Sequence, residues 1–314
     1  IDLAKEKKNL IERMKYLPMV SSSLNSTSYN RFLSKFGSKQ RPVSSKNRIL
    51  LTGVYTSRNP TKPPGYENED SCCVGTSYIC VADGVGGWIS QGVSSAMYSR
   101  QLVNYIETCI NDYSREQKCE LDKDKFIEMV NKCYENMKSS KIIGSSTLCL
   151  AYLDNNNKLH VFNLGDSKCV IYRKEEKEVI FESEIQQHNF NTPFQLGTGS
   201  IDTPYNADYM MLEGIKSGDA IIVATDGLWD NISMDKVIRI VDNNLLYEPQ
   251  KIAEKLGREA LQLSLNSEHI SPYSMSLNNY LSQKLQSNIQ SNGTFGFVSG
   301  GKPDDITVSI GVVQ

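Results

Sequence analysis

The chain has 314 residues, with 34 basic and 36 acidic side chains and 39% hydrophobic residues. That length allows one large domain or two ordinary ones with a sizeable core, and the near-cancelled charge leaves no electrostatic footprint for nucleic acid or an anionic membrane. Eight cysteines occur without a CxxC pair, mostly inside apolar runs, which argues against zinc and for a reduced, intracellular setting; no apolar run approaches the roughly 20 residues of a transmembrane helix.

The sequence opens on Ile1 rather than Met, so an upstream segment carrying any targeting signal is expected. From Asp2 to Leu17, Leu3, Leu10, Met14 and Leu17 recur at helical spacing among Lys and Glu, and residues 21–30 read as a serine- and asparagine-rich linker. Residues 1–47 are therefore assigned to an N-terminal helix and polar linker, and 48–314 to the main domain. A strand over Arg48–Tyr55 leads to a proline-punctuated loop with Arg58 and Lys62, the cations close upstream of Glu67-Asn68-Glu69-Asp70. Acids before a strand are ordinarily solvated surface. If the following run turns back near Gly75, Asp70 approaches Asp83.

Asp83 ends the apolar run Tyr78–Ala82 and is followed by Gly84-Val85-Gly86-Gly87-Trp88. A carboxylate delivered by a buried strand into nearly bare backbone suits a hard cation with oxygen ligands. A glycine turn in which Asp83 bonds its own loop would produce the same local sequence. Two helices are expected next. One is capped by Ser94 or Ser95 and runs to about Asn111; the other carries Phe126, Met129, Val130, Cys133 and Met137 on one face.

From Gly144 the period becomes that of strands: Ser146–Leu153, Leu159–Leu164, Lys168–Arg173 and Val179–Glu182, joined by tight turns that indicate antiparallel sheet. Gly165-Asp166-Ser167 is one of these turns, where Asp is more often structural than functional. His160, His188 and His269 carry no signal of their own. Ala220–Thr225 is a second buried strand ending in a carboxylate and a glycine, Asp226-Gly227. Helices over Ser233–Asp242 and Pro249–Leu265 precede a polar stretch, 266–299, read as a surface insertion or mobile flap. Asp304-Asp305 then opens an alternating terminal strand, Ile306–Val313.

Strand ends thus carry Asp83, Asp226 and Asp304-Asp305, and a strand start carries Asp70. Gathered in one cleft, such acids resist ionising together unless cations intervene. Two divalent ions about 3.5–4 Å apart would remove that penalty and activate water for phosphate-ester hydrolysis.

The order Glu-Asp, Asp-Gly-x-Gly-Gly, Gly-Ser-Ser-Thr, Gly-Asp-Ser, Thr-Asp-Gly-Leu-Trp-Asp and Asp-Asp-Ile-Thr resembles the type 2C metal-dependent serine/threonine phosphatases over roughly residues 48–313. Asp-Gly-Val-Gly-Gly-Trp and Gly-Gly-Lys-Pro-Asp-Asp-Ile-Thr resemble the branch that includes a mitochondrial phosphatase. The resemblance implies an α+β fold, a four-layer αββα sandwich of two antiparallel sheets. It implies two Mg²⁺ or Mn²⁺ ions held by Asp70, Asp83, the Gly84 carbonyl, Asp226 and Asp304, with Asp305 orienting a ligand and Asp166 helping to hold a third ion. A metal-bridging hydroxide would attack phosphoserine or phosphothreonine of protein substrates directly, in a monomer, and no side chain would be the nucleophile. Val85 stands where many relatives have a histidine, Gln187 where many have aspartate. The family's phosphate-binding arginine has no clear counterpart, leaving Arg58 or Lys62. Two other readings are weighed. An inactive relative that binds partners through the same fold is disfavoured by the intact metal positions. A hydrolase of small phosphate esters would call for a narrow pocket.

Overall fold

The computed structural model describes residues 48–116, 121–244, 248–287 and 296–314; the expected N-terminal helix and linker lie outside these residues. β1 (Leu50–Ser57) is followed by a hairpin of β2 (Asp70–Val74) and β3 (Tyr78–Asp83). A 3-10 turn over Gly86–Gln91 leads to α1 (Ala96–Glu116) and α2 (Lys123–Ser140). The strand-rich centre contains β4 (Ser145–Ser146), β5 (Leu148–Leu153), β6 (Leu159–Leu164), β7 (Lys168–Arg173), β8 (Glu178–Glu182), β9 (Gln187–Asn189), β10 (Thr192–Pro193), β11 (Leu196–Gly197), β12 (Asp208–Leu212) and β13 (Ala220–Ala224). Helices α3 (Asp226–Trp229), α4 (Met234–Asn244), α5 (Pro249–Ser264) and α6 (Pro272–Ser287) precede the last strand, β14 (Ile306–Val313).

Two five-stranded sheets result, in the orders β1-β14-β13-β7-β8 and β12-β6-β5-β3-β2, and their pairings are antiparallel. Side-chain alternation along β3 shows how they stack. Cys80 and Ala82 pack against Leu102, Ile106, Phe126 and Val130 of α1 and α2. Ile79 and Val81 face Cys169, Ile171, Ile221 and Val223 of the other sheet. On the far side, Ile222, Val308 and Ile310 pack against Val237, Val241, Ile252 and Leu256 of α4 and α5. Three apolar layers between four structural layers make the αββα sandwich expected from the resemblance. Burial on both faces explains why β5, β13 and the Tyr78–Ala82 part of β3 are continuous apolar runs; strands with one solvated face would alternate.

Helix boundaries follow local chemistry. At α2 the Asp122 side chain accepts from the Lys125 amide at 2.9 Å, and Lys141 closes the helix with φ 58°. α1 extends to Glu116, five residues past the expected Asn111. The stretch 266–299 is not simply an irregular insertion, because α6 runs through it. Ser271 Oγ accepts from the Ser274 amide at 3.0 Å, and Pro272 follows at the first helical position. Asn278 then ties the helix to Val298 through two bonds of 2.8 and 2.9 Å. Residues that suggest a loop in sequence serve here as caps and fastenings.

His160 is fully buried in the helix-covered sheet, with Nδ1 2.8 Å from Tyr209 Oη and its ring stacked on Phe126 at 5.3 Å. Burial pushes its pKa below the usual 6.5, more than Asp154 raises it. The unfolded chain therefore takes up this proton first as pH falls. Stability from neutral His160 is present above pH 6.5 and declines below it, by at most about 1.4 kcal/mol per pH unit. Urea midpoints measured above and below pH 6.5 should show a steeper acid loss for the wild type than for His160→Gln; equal slopes would contradict this.

Candidate metal centre

The β2–β3 register places Asp70 directly opposite Asp83. The chain reverses where the Gly75 amide donates to Tyr78 O at 2.8 Å. Within the acidic run before β2, Glu67 is exposed, but Glu69 and Asp70 are buried at 3% and 6% exposure. This end of the run is thus interior, unlike an ordinary solvated cluster. Gly84 follows Asp83 because nothing larger fits: an added Cβ would lie 2.6 Å from Glu69 O and 2.9 Å from Ser95 Cβ.

From the opposing sheet, β13 ends at Ala224, Thr225 follows at the N-cap, and Asp226 begins α3. Thr225 Oγ1 donates to Asp70 Oδ2 at 2.8 Å, joining the two sheets at the floor of the cleft. Asp166, in a turn whose Gly165 has φ 116°, and Asp304, before β14, complete the set. One carboxylate oxygen each from Asp83, Asp166 and Asp226 lie within 4.8 Å of one another. A cavity of about 300 Å³ opens over them, with Gly84, Val85, Lys62 and Asp304 also on its wall.

The electrostatics are those of a site built for cations. Burial, then the charges of Asp305, Asp304 and Asp226, hold the Asp70 carboxyl well above the usual carboxylate range. Burial and Asp70 do the same to Asp83. Burial together with Asp226 raises both Asp166 and Asp304 to about 7. Asp70 Oδ1, Asp166 Oδ1 and Asp226 Oδ1 are buried with no protein partner. Buried carboxylate oxygens without donors are costly. An all-oxygen donor set of this kind fits Mg²⁺ or Mn²⁺ better than a metal that prefers sulfur or imidazole.

Around the cluster, each polar group has a definable task. Asp305, 3% exposed, accepts from the Asn59 amide at 2.6 Å, the Glu69 amide at 2.7 Å and Lys62 Nζ at 2.9 Å. Its oxygens are thereby committed to holding the loop before β2. Lys62 also pairs with Glu69 at 2.9 Å, and these bonds raise its pKa although burial opposes the charge. Arg58 is absent from the cavity wall; its Nη1 donates to the carbonyls of Lys62, Pro63 and Tyr66 at 3.2, 2.8 and 3.2 Å. Gln187 donates to Asp166 Oδ2 at 3.1 Å, and His188 pairs with Asp202 at 2.9 Å.

Sequence reasoning missed Lys302, Asp230 and Glu69. Lys302 Nζ pairs with Asp226, with Asp230 at 2.7 Å and with Asp304 at 3.3 Å. Burial disfavours its charge, but these carboxylates outweigh that and keep it protonated. Burial also raises Asp230, to about 6. The available signal was proximity in sequence to Asp226 and Asp304, which alone does not fix direction.

The fold and cleft define an αββα sandwich with a carboxylate cluster suited to divalent cations, and comparison with known proteins gives the family. Residues 65–271 match the family described as Protein phosphatase 2C. The chain belongs to the protein phosphatase 2C family. It is 30% identical over 285 residues to "Probable protein phosphatase 2C 80" of Arabidopsis thaliana, covering 88% of this chain but only 63% of that relative. Against "Protein phosphatase 2C homolog 7, mitochondrial" of Saccharomyces cerevisiae it is 29% identical, over 73% of this chain and 68% of the yeast protein. Among solved structures, the photosystem II phosphatase PBCP superposes with a TM-score of 0.70 at 26% identity, covering 84% of this chain and 99% of that one.

Proposed function

We propose that this protein is a monomeric Mg²⁺- or Mn²⁺-dependent phosphatase that removes phosphate from phosphoserine and phosphothreonine of protein substrates. The observation that carries this reading is the convergence of Asp83, Asp166 and Asp226 within 4.8 Å, with buried, unpartnered oxygens on Asp70, Asp166 and Asp226. Two ions would be held by Asp70, Asp83, the Gly84 carbonyl, Asp226 and Asp304. When bound, they supply positive charge for the phosphoryl oxygens and an activated water at neutral pH.

The chain's own groups do the rest. Gly84, Gly86 and Gly87 keep the rim free of side chains, so a phosphoryl group can approach the backbone. Val85 offers no proton, so that position cannot protonate the departing alkoxide. Lys62 is the cavity-wall cation best placed to steer phosphate, because Asp305 and Glu69 fix its ammonium at the rim. Kinship to the yeast mitochondrial relative supports a mitochondrial location. A tagged full-length chain found wholly in cytosol would overturn that assignment.

Stereochemistry at phosphorus tests the chemistry, read from a phosphothreonine peptide whose phosphoryl group is a phosphorothioate made chiral with ¹⁸O and hydrolysed in ¹⁷O-labelled water. A single in-line attack by water should invert the configuration of the released thiophosphate, since no side chain forms a phosphoenzyme; retention, the mark of two displacements, would refute direct attack. Lys62→Ala should raise KM for the peptide by about tenfold or more, the effect of a lost charged hydrogen bond, and Lys62→Arg should restore most of it. An unchanged KM would remove Lys62 from phosphate binding.

A further inference from the structure

Lys302 reaches the centre on an unusually fixed mount. Its amide donates to Asn231 Oδ1 at 2.8 Å and its carbonyl accepts from Asn231 Nδ2 at 2.9 Å. Asn231 is fully buried and also donates to Gly227 O at 3.0 Å, so the lysine backbone is clasped to the turn that carries Asp226 and Asp230. From the other side Tyr273 of α6 covers the ammonium, with Nζ 5.4 Å from the ring centroid, and the Tyr273 amide donates to Asp230 O at 3.0 Å.

Of the ammonium's N–H donors, Asp226 and Asp230 accept one each, and the Asp304 carboxylate pairs with the charge at 3.3 Å. Asp226 divides its oxygens: Oδ2 goes to Lys302 and Oδ1 is left buried without a partner. Asp166 is divided likewise, with Oδ2 held by Gln187 and Oδ1 unpartnered. On this side of the cleft Asp166, Asp226 and Asp230 would otherwise present three carboxylates with no ammonium bonded to them and only Lys168, whose Nζ is paired with Glu182, acting on Asp230 from a distance. Buried carboxylates in that condition either protonate or gather a cation.

We propose that Lys302 is a tethered third cation: its ammonium takes the position between Asp226 and Asp230, beside Asp166, that a further divalent ion would otherwise fill. The centre is thereby limited to two divalent ions. This inference rests on the metal-binding reading above and concerns how many ions the carboxylates accept. A fixed positive charge there also makes the charge on that side of the cleft independent of free metal concentration.

The test is the Mn²⁺ content of EDTA-stripped protein, measured by equilibrium dialysis with elemental analysis from micromolar to millimolar free Mn²⁺. Wild type and Lys302→Arg should saturate at two ions, and Lys302→Met should take up a third. Adding Asp230→Asn to Lys302→Met should return the count to two. A Lys302→Met protein that still binds two ions, or a wild type that binds three, overturns the proposal while leaving the metal centre intact. If Lys302→Met does not fold, the wild type decides: saturation at two up to millimolar Mn²⁺, unchanged in Asp230→Asn, supports the proposal, and a third ion lost in Asp230→Asn refutes it. A wild type that binds none overturns the metal-centre reading as well.

Discussion

Asp83→Asn should reduce Mn²⁺-dependent phosphatase turnover about a thousandfold while raising the melting temperature of the metal-free protein. The two effects share one cause. Asp83 lies opposite Asp70 in the β2–β3 register and offers an oxygen within 4.8 Å of oxygens from Asp166 and Asp226. At an effective dielectric near 20, like charges about 5 Å apart repel by roughly 3 kcal/mol, so neutralising one should raise the metal-free melting temperature by about 6–12 °C. The same substitution removes a ligand, so the stabilisation gained on adding Mn²⁺ should shrink. A variant that lost both activity and metal-free stability would show that Asp83 is structural.

The repulsion has a pH signature whose sign differs from the usual aspartate case. Asp166 and Asp304 stand at about 7 in the fold, above the ordinary value of 3.8. Between those values the folded state binds more protons than the unfolded chain, so this contribution is present at low pH and is lost as pH rises through about 7. In EDTA, acidification from pH 7.5 toward 5 should therefore favour the fold relative to the same protein in Mn²⁺. Comparing the two conditions cancels the opposing contribution of His160, which is metal-independent.

Gly227→Ala should destabilise the protein by about 3 kcal/mol or more, on the order of 10 °C in melting temperature, and should weaken Mn²⁺ binding. Helix propensity alone predicts the opposite, a gain of about 1 kcal/mol, because Gly227 lies within α3. Close packing decides the outcome. A Cβ there would sit 2.1 Å from Asp305 O and 2.9 Å from Ile306 Cγ1, and a backbone carbonyl cannot swing aside as a flexible side chain would. Relief requires moving the start of β14, and with it Asp304, away from Asp226. A melting temperature equal to or above that of the wild type would mean the loop before β14 yields freely and does not fix the centre.

What was legible in the sequence was the part written in local pattern. Ile306–Val312 alternates apolar with small or polar residues, and the expected strand Ile306–Val313 is β14 to the residue. Tyr78–Ala82 and Ala220–Ala224 are continuous apolar runs ending in carboxylates, and both are central strands whose ends meet at the cleft. The pairing of Asp70 with Asp83 was conditional on a turn near Gly75, and the register supplies it. Three kinds of feature stayed hidden. Edge strand β12, Asp208–Leu212, has its polarity set by a partner, β6, far away in sequence. The serines and asparagines of α6 look like loop residues until Ser271 and Asn278 are seen capping and tying the helix. Lys302 is near its carboxylate partners in space because Asn231 clasps its backbone, a contact spanning 71 residues.

The measurement that bears most directly on the account is phosphate release from a phosphothreonine peptide by EDTA-stripped protein titrated with Mn²⁺. Turnover should be absent without metal, rise to saturation with Mn²⁺, and fail to return in Asp83→Asn or Asp226→Asn at any metal concentration that saturates the wild type. Hydrolysis that persists in EDTA, or that either variant supports at the wild-type rate, would contradict the claim that these carboxylates work by holding metal.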